Sequence, residues 1–460
     1  MSRWWLTVSL RKPHAVGDGR LLLTLGLGVF AGALDLGVLS PALSSLATTF
    51  SVAKADLAWV FSLYLLVNII GIAVASTLAD RYGRRIIYLS CIGLFAVGSI
   101  VTIVAPSYEI FLLGRALQAA GAGGIFPVAA ATIGDVIPLE RRGAALGLVA
   151  ATWGLAAIIG PLVGGVLTHY ASWRWIFAAN IPLAVIVAFM ARIHVPTNAP
   201  RVRGPLDITG LILLCAGLLS LVIGIINLRI VPPILGILML GFFAWRERKA
   251  EFPLIPPALF ATPQLAKTYA LELLIGILEG SLFFIPTVLV DAQNMTTVAA
   301  GAIAALGALL FVAVIPASGR ALDRIGSRSV LIAGTLLTEI GLAIFAVGFT
   351  SLPLTLLSMI VAGMGFGALL GAPTRYIITN ATTERTRATA IGLLSQFLII
   401  GQLLGSAMVG GIVASSVSDL IGFKSAYLAF CAIALLALAV ASLLQGRDRE
   451  QEADRKVDAA

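Results

Sequence analysis

The chain has 460 residues, of which 59% are hydrophobic and only 12% charged, with a formal net charge of +9 and a mean hydropathy of +1.02. A soluble domain carries about 25% charged residues, so a soluble globule, a disordered chain and a collagen-like fibre are all excluded and the bilayer is the natural solvent. The positive charge lies in short groups between apolar runs rather than on one patch, which fits an anionic membrane surface and not nucleic acid.

A membrane-spanning helix needs about 20 apolar residues. Residues 1–20, with Trp4, Trp5, Arg11, Lys12 and Arg20, have no compact apolar core before a small-residue cleavage site. They read as a cytoplasmic leader rather than a signal peptide. Predicted spans follow at 21–47, 57–78, 86–105, 109–132, 142–168 and 174–191, an N-terminal six-helix bundle within residues 21–194. Residues 195–264 read as a linker with two additional spans, 208–227 and 230–245, the second short and opened by Pro232 and Pro233. Residues 246–264, with Pro253, Pro256 and Pro257, read as an interfacial amphipathic segment. The C-terminal bundle within 265–444 holds spans 265–289, 298–318, 329–349, 352–378, 388–414 and 422–444, and residues 445–460 form a charged cytoplasmic tail.

With the N-terminus in the cytoplasm, 25 of the 31 Lys and Arg residues fall in the tails, in the even-numbered loops or at their edges, against Lys54, Arg174, Arg229 and Lys424 on the other side. The positive-inside rule then places both termini in the cytoplasm.

The two bundles are related in sequence. Asp80, Arg81, Gly83 and Arg85 after span 2 match Asp323, Arg324, Gly326 and Arg328 after span 10 at an offset of 243. Pro127 matches Pro373, and Gly160 matches Gly405, at nearly the same offset. Parallel repeats point to a transporter with its site at the midplane between halves. The repeat also pairs Asp35, mid-span 1, with Glu279, mid-span 9, so that two carboxylates are expected to face one cavity from opposite halves.

These residues resemble the major facilitator superfamily, specifically its fourteen-helix drug:proton antiporter branch. The loop Ala79-Asp80-Arg81-Tyr82-Gly83-Arg84-Arg85 resembles the superfamily's cytoplasmic signature, with Ser76 in place of its first Gly. Arg115, Gln118, Gly121, Gly123 and Gly124 resemble the helix 4 motif, with Ala119 in place of a Gly. Gly160-Pro161-Leu162-Val163-Gly164-Gly165 is similar to the antiporter motif of helix 5. Trp173-Arg174-Trp175-Ile176-Phe177 with Asn180 and Pro182 resembles the opening of helix 6. In helix 1, Asp35 fits, while Gly37 and Ser40 stand where Thr and Asn are usual. The resemblance implies an all-α membrane protein of two six-helix bundles related by a pseudo-twofold axis plus two extra helices. It implies a cytoplasmic gate at Asp80, Arg81, Gly83, Arg84, Arg85, Asp323 and Arg324, and an export-biased interface at Gly160, Pro161, Gly164 and Gly165.

Ionisable residues inside a span are expensive and mark function by default. Asp35, Glu279, Arg115 and Glu272 are the candidates for proton coupling or substrate contact. Glu339 reads as packing, Arg375 as an interfacial anchor, and Phe283 and Phe284 as cavity wall. Cys91, Cys215 and Cys431 lie in apolar runs and make neither a disulfide framework nor a metal spacing. The chain has no Gly-Lys dipeptide for a phosphate loop, no His-Glu-x-x-His and no Gly-x-Ser-x-Gly. No enzyme activity, metal or cofactor is therefore expected. The expectation is a monomeric, proton-driven exporter of amphipathic small molecules, cations among them, in the cytoplasmic membrane. Its partners are small-molecule substrate, protons and membrane lipid, with no nucleic acid. An exporter of lipids or lipid-linked molecules on the same fold is the main alternative, ahead of a metabolite symporter or a membrane enzyme.

Overall fold

The computed structural model describes residues 18–197, 207–250, 253–260, 262–382 and 384–446. Most of the expected leader, the middle of the linker and the tail from Arg447 lie outside the described residues. Fourteen long helices run α1 Asp18–Leu39, α2 Ala58–Tyr82, α3 Arg84–Ile103, α4 Tyr108–Val136, α5 Leu139–Tyr170, α6 Arg174–His194, α7 Ile208–Ile226, α8 Val231–Glu247, α9 Pro263–Leu282, α10 Thr297–Ile325, α11 Ser327–Gly348, α12 Leu352–Leu369, α13 Glu384–Ala414 and α14 Asp419–Ser442. No strand occurs among the described residues. Thirteen membrane-span candidates emerge from this set, and α8 is the long helix without one. Its 17 residues rise only about 26 Å, short of a hydrocarbon core of about 30 Å.

Three expected spans are broken. The first is interrupted by a 3₁₀ turn at Ser40–Ala42 and resumes at Leu43–Phe50. The ninth stops at Leu282 and resumes at Ile285–Gln293, and the twelfth stops at Leu369 and resumes at Pro373–Asn380. Pro41 opens the 3₁₀ turn that makes the first break, and Pro286 and Pro373 open the segments that follow theirs. Proline has no backbone donor and so is tolerated at the start of a helical segment and breaks its interior. The breaks in the first and ninth spans fall at equivalent positions of the two halves. Pro127, the counterpart of Pro373, stays inside α4.

The backbone carries a second mark of the repeat. Gly83 and Gly326 are the two glycines with positive φ among the described residues, at 95° and 81°. Each ends one helix and starts the next, between α2 and α3 and between α10 and α11. Glycine takes such values without steric cost, so the signature loop needs it in both halves.

Helices α1 to α6 pack as one bundle and α9 to α14 as another. The α7–α8 hairpin lies against α2 and α13, and Gly217 and Gly236 bring its own two helices together backbone to backbone. The described residues between α8 and α9 include one short helical turn. Pro257–Phe260 is a 3₁₀ turn whose Leu259 is buried with Leu265, Tyr269, Ile378 and Leu393. The Glu247 carboxylate accepts a hydrogen bond from the Ile255 amide at 2.7 Å, which ties this segment to the end of α8.

Helix α5 shows where the halves meet. A Cβ on Gly165 would lie 2.5 Å from the Thr297 carbonyl oxygen, and one on Gly154 3.0 Å from Val312. Gly147 and Gly143, further along the same helix, face open space. Helix α10 repeats the gradient, from Gly301 against the Pro161 carbonyl oxygen to Gly319 in open space. The close glycine contacts between the bundles along α5 and α10 therefore fall towards the end away from the basic loops.

Candidate functional site

Asp35 sits mid-α1 with no solvent exposure. Helix α4 brings Arg115 to it, also fully buried, and its Nη1 donates to Asp35 Oδ2. The second carboxylate oxygen accepts from Asn180 Nδ2 of α6 at 3.0 Å and from Gln118 Nε2 of α4 at 3.3 Å. Gln118 also accepts from Arg115 Nη1 at 2.9 Å and donates to Ser99 Oγ of α3 at 2.8 Å. The aromatic rings of Tyr64 and Phe177 flank the guanidinium, their centroids 4.2 and 5.8 Å from Cζ. Among the described residues, Arg115 Nε and Nη2 and the Tyr64 hydroxyl have no hydrogen-bond partner.

This polar knot can form because small residues let the surrounding helices approach. Gly98 on α3 faces the Gln118 amide, and Gly114 on α4 faces Thr102. Burying two opposite charges is repaid only with good geometry and further hydrogen bonds, and Asp35 has both. The carboxylate is completely engaged inside the N-terminal bundle rather than offered to a shared cavity. Glu279, its counterpart across the repeat, has a different hydrogen-bond partner. Glu279 is half-buried on α9 and accepts from Gln402 Nε2 of α13 at 2.9 Å. Glu272, seven residues earlier on α9, is buried at 5% exposure. It lies near Thr374 and within electrostatic reach of Arg375, and its Oε2 has no hydrogen-bond partner among the described residues. The two halves thus hold different arrangements, a closed ion pair in one and two carboxylates in the other.

Phe283 and Phe284 fall at the break after α9. Phe283 stacks on Phe61 of α2 at 4.5 Å, and Phe284 meets the same ring edge-on at 5.8 Å. Both rings therefore sit on the seam between the halves. Ser40 Oγ donates to the Phe283 carbonyl, and Ser62 and Ser406 hydroxyls pair at 3.0 Å across the seam. Lys54 binds Asp291 at 2.8 Å and Asp419 at 3.3 Å, so one N-terminal lysine holds two C-terminal acids at the closed end.

At the basic end Arg84 bridges Asp80 at 2.6 Å and Asp135 at 3.1 Å, and Arg85 Nε donates to the Val195 carbonyl. Arg81, Asp323 and Arg324 are exposed there. Gly160 and Gly164 press on α1, where a Cβ on Gly164 would lie 1.9 Å from the Val38 carbonyl oxygen. Gly405, the counterpart of Gly160, does the same to Ile277 of α9. The structure adds Tyr64, Ser99, Asn180 and Gln402 to the residues of interest. Tyr64, Ser99 and Gln402 carry no sequence signal beyond being polar groups within apolar spans, whereas Asn180 also belongs to the helix 6 motif. Among the described residues no group of His, Cys, Asp and Glu is placed to hold a metal ion.

The chain is similar to known proteins in sequence and in fold. The sequence profile described as Major Facilitator Superfamily matches residues 25–311 and 268–459. The chain is 31% identical over 413 residues to the uncharacterized MFS-type transporter YfiU of Bacillus subtilis, covering 84% of this chain and 78% of that one. It is 29% identical to the tetracenomycin C resistance and export protein of Streptomyces glaucescens, covering 86% and 76%. It is 28% identical to the multidrug resistance protein Stp of Mycobacterium tuberculosis, covering 86% and 76%. Among solved structures, a bacterial homologue of the human lysosomal transporter Spinster in an inward-facing, unoccupied conformation superposes with a TM-score of 0.67 at 18% identity, covering 93% of this chain and 96% of that one. A D-xylose–proton symporter superposes with a TM-score of 0.69 at 16% identity, covering 93% and 97%. With two repeated bundles, a buried charge pair and a profile match across both halves, the chain belongs to the Major Facilitator Superfamily, a family of multi-pass membrane transporters and not of enzymes.

Proposed function

We propose that this transporter is a proton-driven exporter of amphipathic small molecules, cations among them, of the fourteen-helix drug:proton antiporter branch. The observation that carries the reading is the buried Asp35–Arg115 pair. A carboxylate there exchanges between an ion pair with Arg115 and a neutral acid, and that exchange is the event a proton gradient can drive. The resistance and export proteins among the relatives support the direction of transport. The excess of basic residues on one side supports a cytoplasmic position for both termini. On that orientation the close glycine contacts between the halves lie towards the outside, and an exporter loads from the cytoplasm.

In this reading the Asp80–Arg84–Asp135 cluster orders the cytoplasmic loop of the N-terminal bundle. Gly160, Pro161, Gly164 and Gly165 keep the contact between α5, α1 and α10 thin enough to rock. Glu279 and Glu272 face the substrate from the C-terminal bundle. The α7–α8 hairpin serves as the linker between bundles, and the monomer is the working unit. The apolar seam of Phe61, Phe283 and Phe284 also favours a second reading, export of a lipid or lipid-linked molecule.

The test is dye efflux from energised cells or vesicles, with and without a proton uncoupler, for the wild type and Asp35→Asn. Efflux that stops on uncoupling and in the variant supports the proposal. Proton-dependent efflux retained by Asp35→Asn overturns Asp35 as the coupling site. A chain that exports no dye from a broad cation panel moves the assignment to lipid.

A further inference from the structure

Arg115 uses one nitrogen, Nη1, for its whole polar network. Nε and Nη2 are buried without partners, and the Tyr64 ring lies over the same guanidinium at 4.2 Å. Tyr64 is itself fully buried, and its hydroxyl is also unpartnered. The ring face, not the hydroxyl, is therefore what Tyr64 offers its neighbour. A desolvated guanidinium over an aromatic face is attracted by the negative charge of the ring's π face.

We infer that Tyr64 is a positioning residue for Arg115, holding the guanidinium in the bundle when Asp35 becomes neutral. This rests on the proposed coupling role of Asp35. While Asp35 is ionised, the carboxylate itself holds Arg115. Once Asp35 takes a proton, the cation stays buried with no hydrogen-bonded anion, held by the neutral Gln118 carbonyl and the face of the Tyr64 ring. The remaining neighbours are neutral: Gln118 on α4, Asn180 and Phe177 on α6, and Ser99 on α3 behind Gln118. Asp35 from α1 is the one charged group hydrogen-bonded to Arg115 in this network. Phe177, at 5.8 Å, is too distant to substitute fully.

The sign of the effect follows. Removing the ring penalises the neutral-Asp35 state more than the ionised one, so protonation of the site requires a higher proton concentration. The half-maximal pH of transport then moves towards acid by about one unit, given about 1.4 kcal/mol per pH unit. Tyr64→Phe keeps the ring and is expected to keep the wild-type midpoint. Tyr64→Leu is expected to show the acid shift.

The experiment pairs that pH profile, measured as dye efflux from vesicles, with the thermal unfolding of purified protein in detergent. Asp35→Asn mimics the neutral acid. In that background Tyr64→Leu should lower the unfolding temperature at least about twofold more than it does in the wild type, because coupled residues are not additive. Tyr64→Phe should show no such excess. Equal losses in both backgrounds overturn the inference, as does a Tyr64→Phe variant that behaves like Tyr64→Leu. Thermal coupling without a shift in the pH profile leaves Tyr64 as the partner of Arg115 and overturns Asp35 as the proton site instead. If Tyr64→Leu does not fold, the comparison of Tyr64→Phe with the wild type in the Asp35→Asn background still decides whether the hydroxyl carries the effect, which would overturn the role of the ring.

Discussion

Arg115 and Asp35 meet across the contact of α4 with α1, and neither side chain has any exposure to solvent. Removing one partner of a buried pair leaves an uncompensated charge, with a typical loss of about 3–5 kcal/mol, whereas replacing both by neutral groups can be nearly neutral. Arg115→Ala should therefore reduce the yield of folded protein sharply. Asp35→Asn combined with Arg115→Gln should recover the unfolding temperature but not proton-driven efflux. Recovery of both would remove the pair from the transport cycle.

The contact of α5 with α1 predicts a contrast between two glycines of one helix. Gly164→Ala puts a methyl group against the Val38 carbonyl oxygen, at a distance no real contact allows. Overpacking of this kind costs about 1–3 kcal/mol, so both unfolding temperature and efflux should fall. Gly147→Ala meets nothing within 4 Å and should stabilise α5 by about 0.5–1 kcal/mol, since alanine is the better helix former. Matched measurements of unfolding temperature check both directions.

Lys54 joins the halves through Asp291 and Asp419 at the closed end, with the lysine side chain 27% exposed. A pair this accessible contributes about 1 kcal/mol or less to stability and is screened by salt. Lys54→Gln should leave the unfolding temperature almost unchanged while raising the share of molecules open at that end. Labelling of a single cysteine placed on the seam at that end should become up to about fivefold faster at low salt, since about 1 kcal/mol shifts a two-state ratio by exp(ΔG/RT). A Lys54→Asp, Asp291→Lys exchange should reverse part of the gain.

Glu279 accepts from Gln402 and is half-buried, and the proposed function sets it against the substrate. Glu279→Gln should raise the KM for a cationic dye about tenfold, equivalent to about 1.4 kcal/mol, and leave a neutral apolar substrate unaffected. Equal effects on both substrates would assign Glu279 to coupling or folding instead.

Much of the architecture was legible without coordinates because the bilayer imposes length and composition on every span. The signature loop is the best instance. Its repeat at Gly326 predicts an equivalent turn, and both glycines adopt the same positive φ. The breaks at Ser40–Ala42, after Leu282 and after Leu369 were hidden, because hydropathy continues through them. Pro41, Pro286 and Pro373 mark them, yet Pro127, Pro161, Pro182 and Pro316 lie inside unbroken helices. Proline alone does not decide, since neighbouring helices can satisfy the backbone groups it frees.

The sequence by itself determined that the chain spans a membrane as two related bundles, and it singled out the few ionisable groups that the lipid makes expensive. Only the tertiary structure decided their partners. Sequence symmetry places Asp35 opposite Glu279, but packing of α1 against α4 and α6 gives Asp35 to Arg115, Gln118 and Asn180, and packing of α9 against α13 gives Glu279 to Gln402. Hydropathy measures how costly a charge is in the bilayer. Which group compensates it depends on helix rotation and close approach, and those are set by glycines such as Gly98, Gly114 and Gly401 whose effect is visible only once the facing backbone is in place.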